Sequence, residues 1–292
     1  MEQRLKMLRR SLIYLLVSLI FAILFLDALL FWIDPLGVVA AQHAMINLMR
    51  SQLPHETGYR LEEGDHWLHN YTMTLDADGN RITPQSNPNA ECTIAAIGDS
   101  VTVGIGVNDE DTWVNLLAMT YPDIHWINTG RSNYSAPNVQ WLQASTPADG
   151  YVWIIIDNDN ILPQVVTQPP IVNDERYPSA TRLYYNYLRY QFAEPTTAQP
   201  GRPVDNPMFY EVSHQILDRA DTIAFAFDVE TRVSNITQQL VDDYDNVYKI
   251  PWYAGGEISV ADRHPNPKGH RLIAEALEPM IGDFADRICN TN

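Results

Sequence analysis

Three residues in this chain could do chemistry together: Ser100, His264 and Asp262. Ser100 closes the run Thr93-Ile-Ala-Ala-Ile-Gly-Asp-Ser-Val-Thr102, in which apolar residues stop abruptly at Gly98-Asp99-Ser100. Such a run reads as a buried strand that delivers a serine at a glycine-permitted turn. A serine hydroxyl is a poor nucleophile at neutral pH and needs an adjacent base. Histidine, with an ordinary pKa of about 6.5, can take and return the proton. His264 is the candidate base, and Asp262 is placed to hold its tautomer and to stabilise the imidazolium that forms. The chemistry implied is acyl transfer through an acyl-serine. Taken singly, each piece has a plainer explanation: Gly-Asp-Ser is ordinary turn chemistry, and His264 before Pro265 could merely order its loop.

The surrounding elements must bring these residues to one edge. Apolar runs at Ile94–Ile97, His125–Asn128, Tyr151–Ile156, Ile223–Phe227 and Val247–Ile250 read as strands. Between them lie helical patterns near Trp113–Tyr121, Ala136–Ser145 and Val229–Val241, and the segment Pro267–Ile288 reads as a closing helix. Strands alternating with helices imply an α/β fold, a three-layer sandwich with a central parallel sheet and right-handed crossovers. Ligands of such sheets bind at the carboxyl ends of the strands, where Ser100 falls. His270, inside the start of the closing helix, reads as structural. Residues 160 to 210 break the rhythm as an insertion with a helix near Ser179–Phe192. Leu183, Tyr184, Tyr187, Leu188 and Gln191 share one face of it, which is either a platform for a sugar or core.

Four blocks fall in order along this scaffold. They are Gly98-Asp99-Ser100, Gly130 after Ile127-Asn128-Thr129, Asn158-Asp159 after the third apolar strand, and Asp262-Arg263-His264-Pro265-Asn266 before the last helix. Over residues 92 to 285 this pattern resembles the SGNH/GDSL hydrolase family. The resemblance implies a flavodoxin-like sheet. It also implies an oxyanion hole made by the backbone N–H groups of Ser100 and Gly130 with the Asn158 amide, Ser100 being nucleophile, His264 base and Asp262 orienter. Two departures stand out. Ile156 occupies the place of a glycine usual in the third block, and the acid is two residues before the histidine, Ala261 standing where three-residue spacing would put it.

Outside that region, residues 11 to 33 form an apolar stretch of about 23 positions, long enough at roughly 1.5 Å per residue to span a bilayer. Arg4, Lys6, Arg9 and Arg10 precede it, which predicts a cytoplasmic N-terminus (1–10), a signal anchor (11–33) and everything after it outside the cytoplasm. A cleaved signal peptide is the alternative, with Val39-Ala40-Ala41 as a weak site. Asp27 reads as an interfacial residue. Residues 34–91 read as a membrane-proximal linker, a spacer helix near Ala41–Leu53 and a β-hairpin appendage, with Trp67–Leu75 as one strand, a turn at Asp76–Gly79 and a return through Arg81–Thr83. Residues 92–292 form the catalytic domain. In an oxidising compartment Cys92 and Cys289 could pair, since a closing helix would run back to the start of the first strand; two free buried thiols are the alternative.

With 19 Lys+Arg against 36 Asp+Glu, a formal charge of −17, the chain lacks the basic footprint of a nucleic-acid binder. No ligand spacing suggests a metal, and no cofactor is expected. The expected function is a membrane-anchored extracytoplasmic serine hydrolase, acting on small acyl esters of a glycan, lipid or other acylated small molecule. An O-acyltransferase that modifies a cell-surface polysaccharide with the same site, and a catalytically degenerate binding protein, are the alternatives.

Overall fold

The computed structural model describes residues 2–55, 58–68, 70–156, 179–192, 207–228, 235–259 and 261–290. A parallel sheet of five strands forms the centre, from β5 (Cys92–Gly98), β6 (Ile124–Asn128), β7 (Gly150–Ile155), β8 (Thr222–Asp228) and β9 (Val247–Pro251). Their spatial order is β6-β5-β7-β8-β9, the flavodoxin-like arrangement. After β5 the chain crosses to one side to make β6 and then returns past β5 to make β7. The carboxyl end of β5 is therefore a topological switch point, and Ser100 stands there.

β5 and β7 are apolar throughout because both of their faces are covered. Ile94 and Ala96 face the same way as Val152, Ile154 and Phe225. They pack under α4 (Trp113–Thr120) and α9 (Pro267–Cys289). Ala95 and Ile97 face the opposite way with Trp153 and Ala226, against α5 (Ala136–Ser145), α7 (Pro207–Leu217) and α8 (Asn235–Asp243). The helix expected near Trp113–Tyr121 is α4; a 3-10 turn, Asp109–Asp111, precedes it, and Thr112 caps it with its hydroxyl.

The N-terminal third departs furthest from expectation. α1 (Glu2–Ile33) contains one stretch, Arg9–Ile33, long and apolar enough to cross a membrane. Asp27 near its end is more than interfacial, because its carboxylate accepts the Thr181 N–H at 2.8 Å, at the start of α6 (Ala180–Phe192). α2 (Val38–Arg50) is no spacer. Ala44 and Leu48 enter the main core, while Val38 and Val39 bury Leu183 and Tyr184 of α6. The Leu183–Tyr184 part of the α6 face is thus core rather than an open platform; the side chain of Gln191 lies outside the described residues.

Nor is the hairpin region an appendage. β1 (Gln52–His55) pairs with β2 (Gly58–Leu61), and β3 (Gly64–Trp67) with β4 (Thr72–Leu75). The alternating run from Trp67 is broken because the Leu68 N–H reaches back to the Tyr71 carbonyl, which folds one expected strand into a hairpin. The expected turn at Asp76–Gly79 is present, and beyond it Arg81 bridges both Leu75 and Asn128 of edge strand β6. That bridge pairs the carboxyl end of the sheet's edge strand. The Arg81 side chain is fully buried, with Nε 2.7 Å from Asp109 and its other nitrogens 2.5 to 2.8 Å from the carbonyls of Val103, Gly104 and Val107. Arg81→Ala would leave Asp109 buried without its partner, so unfolding of the full chain in detergent is expected to show a loss of about 3–5 kcal/mol. A change under about 0.5 kcal/mol would show that the cluster is replaceable by water.

Cys92 and Cys289 are bonded, with Cα atoms 5.5 Å apart and a sequence separation of 197. The bond ties the first residue of β5 to the last turn of α9. Cys92→Ser is expected to cost about 2–5 kcal/mol, read from denaturant midpoints with and without reductant. Equal midpoints for both proteins would show that the link does not constrain the unfolded chain.

Candidate active site

At the end of β5, Gly98 adopts φ +144, and a Cβ there would lie 2.5 Å from the Thr102 hydroxyl. Only glycine permits a turn this tight. Asp99 follows as the cap of the short helix α3 (Ser100–Val103): its carbonyl accepts the Thr102 and Val103 N–H groups at 3.0 Å, and its carboxylate accepts the Ser100 N–H. Ser100 is buried, at 5% exposure. Gly130, just past β6, is needed for close approach rather than for a left-handed conformation, since a Cβ would meet the Val103 nitrogen at 2.3 Å. The Gly130 N–H donates to Asn128 Oδ1 at 3.1 Å, and the Asn128 amide donates to the Thr102 carbonyl at 2.9 Å. Asn128 thereby fixes the glycine turn to the serine helix. Both expected oxyanion donors, the Ser100 and Gly130 N–H groups, thus have intramolecular acceptors.

The third predicted donor, Asn158, lies with Asp159 outside the described residues. Ile156, in place of the expected glycine, is half-buried against the apolar cluster on the α4/α9 side.

The loop before α9 brings Asp262 and His264 together. His264 Nδ1 is 2.6 Å from Asp262 Oδ1, and the same oxygen accepts the His264 backbone N–H at 3.0 Å. A spacing of two residues suffices because the loop closes on itself. Ser259 N–H donates to the Asp262 carbonyl, Ser259 Oγ accepts the Asp262 N–H, and the Ile258 N–H donates to the His264 carbonyl. With Nδ1 committed to Asp262, Nε2 is the nitrogen left to take a proton. Burial works to lower the His264 pKa, but the hydrogen bond and charge of Asp262, with the charge of Asp99, outweigh it and hold the imidazole above its ordinary value. For Asp262, burial pushes the carboxyl up and the His264 contacts outweigh it, leaving it below the ordinary carboxylate range. Gly106, just past α3, lies against Ile258 and the Pro265 carbonyl, which brings the loop of Asp262 and His264 to the segment that follows Ser100. A small cavity of about 20 Å³, lined by α2 residues, opens onto Asp262 and His264.

His270 is structural. It is fully buried, its Nδ1 accepts the Trp113 N–H at 3.1 Å, and burial keeps it neutral by pulling its pKa far down. Three residues of the site's frame escaped sequence reasoning. Arg81 and Asn128 are described above. Arg131 is buried too, donating to the Thr129 and Gly130 carbonyls at 2.9 Å and to Asn80 Oδ1 at 3.1 Å. Asn128 alone carried a signal, as a polar residue ending an apolar strand beside Gly130. Among the described residues no group of three His, Cys, Asp or Glu side chains is placed to hold a metal ion.

The His264–Asp262 pair can be tested without turnover. In the full chain the imidazole is expected to titrate above about 6.5 by NMR of labelled histidine. Asp262→Asn removes one raising charge while burial remains, so the midpoint should move to lower pH; an unmoved midpoint would separate the two residues.

No protein-family model matches the chain, and no curated protein matches it. Solved structures do match. A carbohydrate esterase is 15% identical, over 69% of this chain and 75% of its own, at a TM-score of 0.40. A psychrotrophic esterase from Pseudoalteromonas sp. is 15% identical, over 67% of this chain and 100% of its own, at 0.39. A member of the lipolytic G-D-S-L family from Veillonella parvula is 16% identical, over 65% and 98%, at 0.37. By its own strand order, β6-β5-β7-β8-β9, with Ser100 at the switch point and Asp262–His264 ahead of the last helix, the chain has a flavodoxin-like α/β fold.

Proposed function

We propose that this protein is a membrane-anchored serine hydrolase of the SGNH/GDSL type that cleaves small acyl esters, on a carbohydrate or a lipid, outside the cytoplasm. The observation that carries the proposal is the His264–Asp262 hydrogen bond of 2.6 Å, on a loop whose Ile258 and Pro265 lie against Gly106, just past the short helix that begins at Ser100.

The steps follow from the roles. Ser100 Oγ attacks the ester carbonyl and forms the new C–O bond while His264 Nε2 takes its proton. Asp262, through Nδ1, stabilises the imidazolium. The tetrahedral oxyanion is met by the Ser100 and Gly130 N–H groups, which exchange their Asp99 and Asn128 acceptors for it, and by the Asn158 amide. Catalytic hydrogen bonds often take their final geometry only with substrate bound. Collapse breaks the ester bond, and the alcohol leaves with the proton from His264. Water, activated by the same histidine, then attacks the acyl-serine, releasing a carboxylic acid and restoring Ser100. The anchor is α1, and Arg4, Lys6, Arg9 and Arg10 at its start favour a cytoplasmic N-terminus.

One observation favours a second reading, a binding protein on the same fold. Because both backbone donors already have internal acceptors, a site that never stabilises an oxyanion would look the same.

The test is p-nitrophenyl acetate turnover by the full chain in detergent, beside Ser100→Ala and His264→Ala, together with labelling by an organophosphonate. Each substitution is expected to lower kcat by at least about 10³, and the probe should attach to Ser100. Acetylated sugar in a sample containing an oligosaccharide acceptor would move the assignment to O-acyltransferase. Turnover that survives both substitutions, or Ser100 inert to the probe, would leave the binding reading.

A further inference from the structure

Only two residues of the apolar stretch Arg9–Ile33 are even half-buried, Asp27 and Leu30; the rest of it is exposed, as a helix in contact with lipid would be. Both are held by the domain that follows. Asp27 accepts the Thr181 N–H at the start of α6, and Leu30 packs with Val38, Val39, Leu183 and Tyr184. Ala261, the neighbour of Asp262, packs against the same cluster. Between α1 and α2, the Leu36 carbonyl accepts the Ala261 N–H at 3.2 Å, and Gly37, at φ +71, sits against Ser259 where no Cβ could fit. The Tyr184 hydroxyl accepts the Leu36 N–H at 3.2 Å and donates to Asp34 at 2.7 Å, which fixes the turn to α6. The membrane helix thus reaches the loop of Asp262 and His264 through a packed turn rather than a tether.

That connection sets the height of the loop. About 20 residues, at a rise of roughly 1.5 Å each, cross the hydrocarbon layer, and counted from Arg10 they end near Leu30. The cluster that includes Ala261 therefore lies at the outer edge of the hydrocarbon, where the headgroups begin. Trp32, which is 84% exposed, and Arg182, exposed on the turn of α6 that meets Asp27, are side chains suited to that layer. Ile258 and Pro265 of the same loop lie against Gly106, so the segment after Ser100 is held close to it as well. An ester free in solution gains nothing from this placement. One carried by a lipid is confined to the same layer and meets the site at a high effective concentration. Resting on the anchored-hydrolase reading above, we propose that the site works at the headgroup layer of the outer leaflet and that its substrate is an acyl ester borne by a membrane lipid.

The test uses the full chain in phosphatidylcholine vesicles. Cys92 and Cys289 are bonded to each other, so a single added cysteine takes one fluorophore. Arg263→Cys labels the exposed position between Asp262 and His264, and Asp245→Cys the turn before β9, at the opposite end of the sheet. A nitroxide on the lipid headgroup is expected to quench the label at 263 and to leave that at 245 bright; equal signals at the two positions would overturn the placement. Ser100-dependent kcat/KM is then measured for one acetyl ester, free in solution and carried on a lipid by spacers of increasing length. It is expected to be highest for the shortest spacer and to fall roughly threefold for each doubling of spacer length. A maximum at a longer spacer, or no preference for the lipid-borne ester over the free one, would overturn the substrate class and leave the hydrolase standing. Fatty acid released from the vesicle lipid in place of acetate would put the ester on the lipid's own chains. Absence of both Ser100-dependent turnover and phosphonate labelling, with the label at 263 quenched, would overturn the hydrolase reading and the substrate class and leave the placement at the membrane.

Discussion

A guanidinium withdrawn from water must find acceptors for its donors, and in this fold that requirement binds the segment after Ser100 to the N-terminal third. Arg81 makes four hydrogen bonds there, to one carboxylate and three carbonyls. Those carbonyls belong to a loop with no regular partner of its own, and the arginine supplies what a neighbouring strand would otherwise supply. Asp109 repeats the arrangement from the other side, accepting both Arg81 and the Thr74 N–H of β4. A buried pair of this kind is poor evidence of net stability, since desolvation offsets much of the attraction. Its effect is geometric: the turn that presents Ser100 and the hairpin that carries Arg81 share one set of acceptors, and neither can shift alone.

Arg131 plays the corresponding part after β6, reaching from the Gly130 turn to Asn80 on the hairpin. The two arginines lie on opposite sides of the join, one sent from the hairpin to the sheet and one from the sheet to the hairpin. Asn128 ties the two catalytic turns to each other. Glycines at 98 and 130 let these backbones come within a distance that any side chain would forbid. The site is therefore held by buried side chains bonded to main-chain groups, and little of it depends on the identity of exposed side chains.

This accounts for what was legible in the sequence. The strands of the central sheet were, because a strand covered on both faces must be apolar at every position, as at Ile94–Ile97 and Tyr151–Ile155. The pairing of Asp262 with His264 was, because both come from one short loop. The Cys92–Cys289 contact was suggested once the closing helix was placed. The burial of Arg81 and Arg131 was not, since a charged residue reads as solvated until its acceptors, distant in sequence, are brought to it. The hairpin of β3 and β4 was masked by an alternating pattern that also fits a single strand. The spacing within α2 marked an apolar face, but no local signal states that the face looks onto His264.

The order of the parts along the chain has a consequence for the newly made protein. α1 and α2 come first, Ser100 next, and Asp262 and His264 only ahead of the last helix, while the link that closes the domain joins residues 197 positions apart. During synthesis Ser100 is thus exposed well before Asp262 and His264 exist, and the inner strand β5 waits for partners on both sides. Contacts of such separation form slowly, because the loop must be closed before they reward it. A nascent chain therefore carries Ser100 without Asp262 and His264 until the final segment docks, and its apolar β5 and α2 surfaces are what a chaperone would meet in the interval.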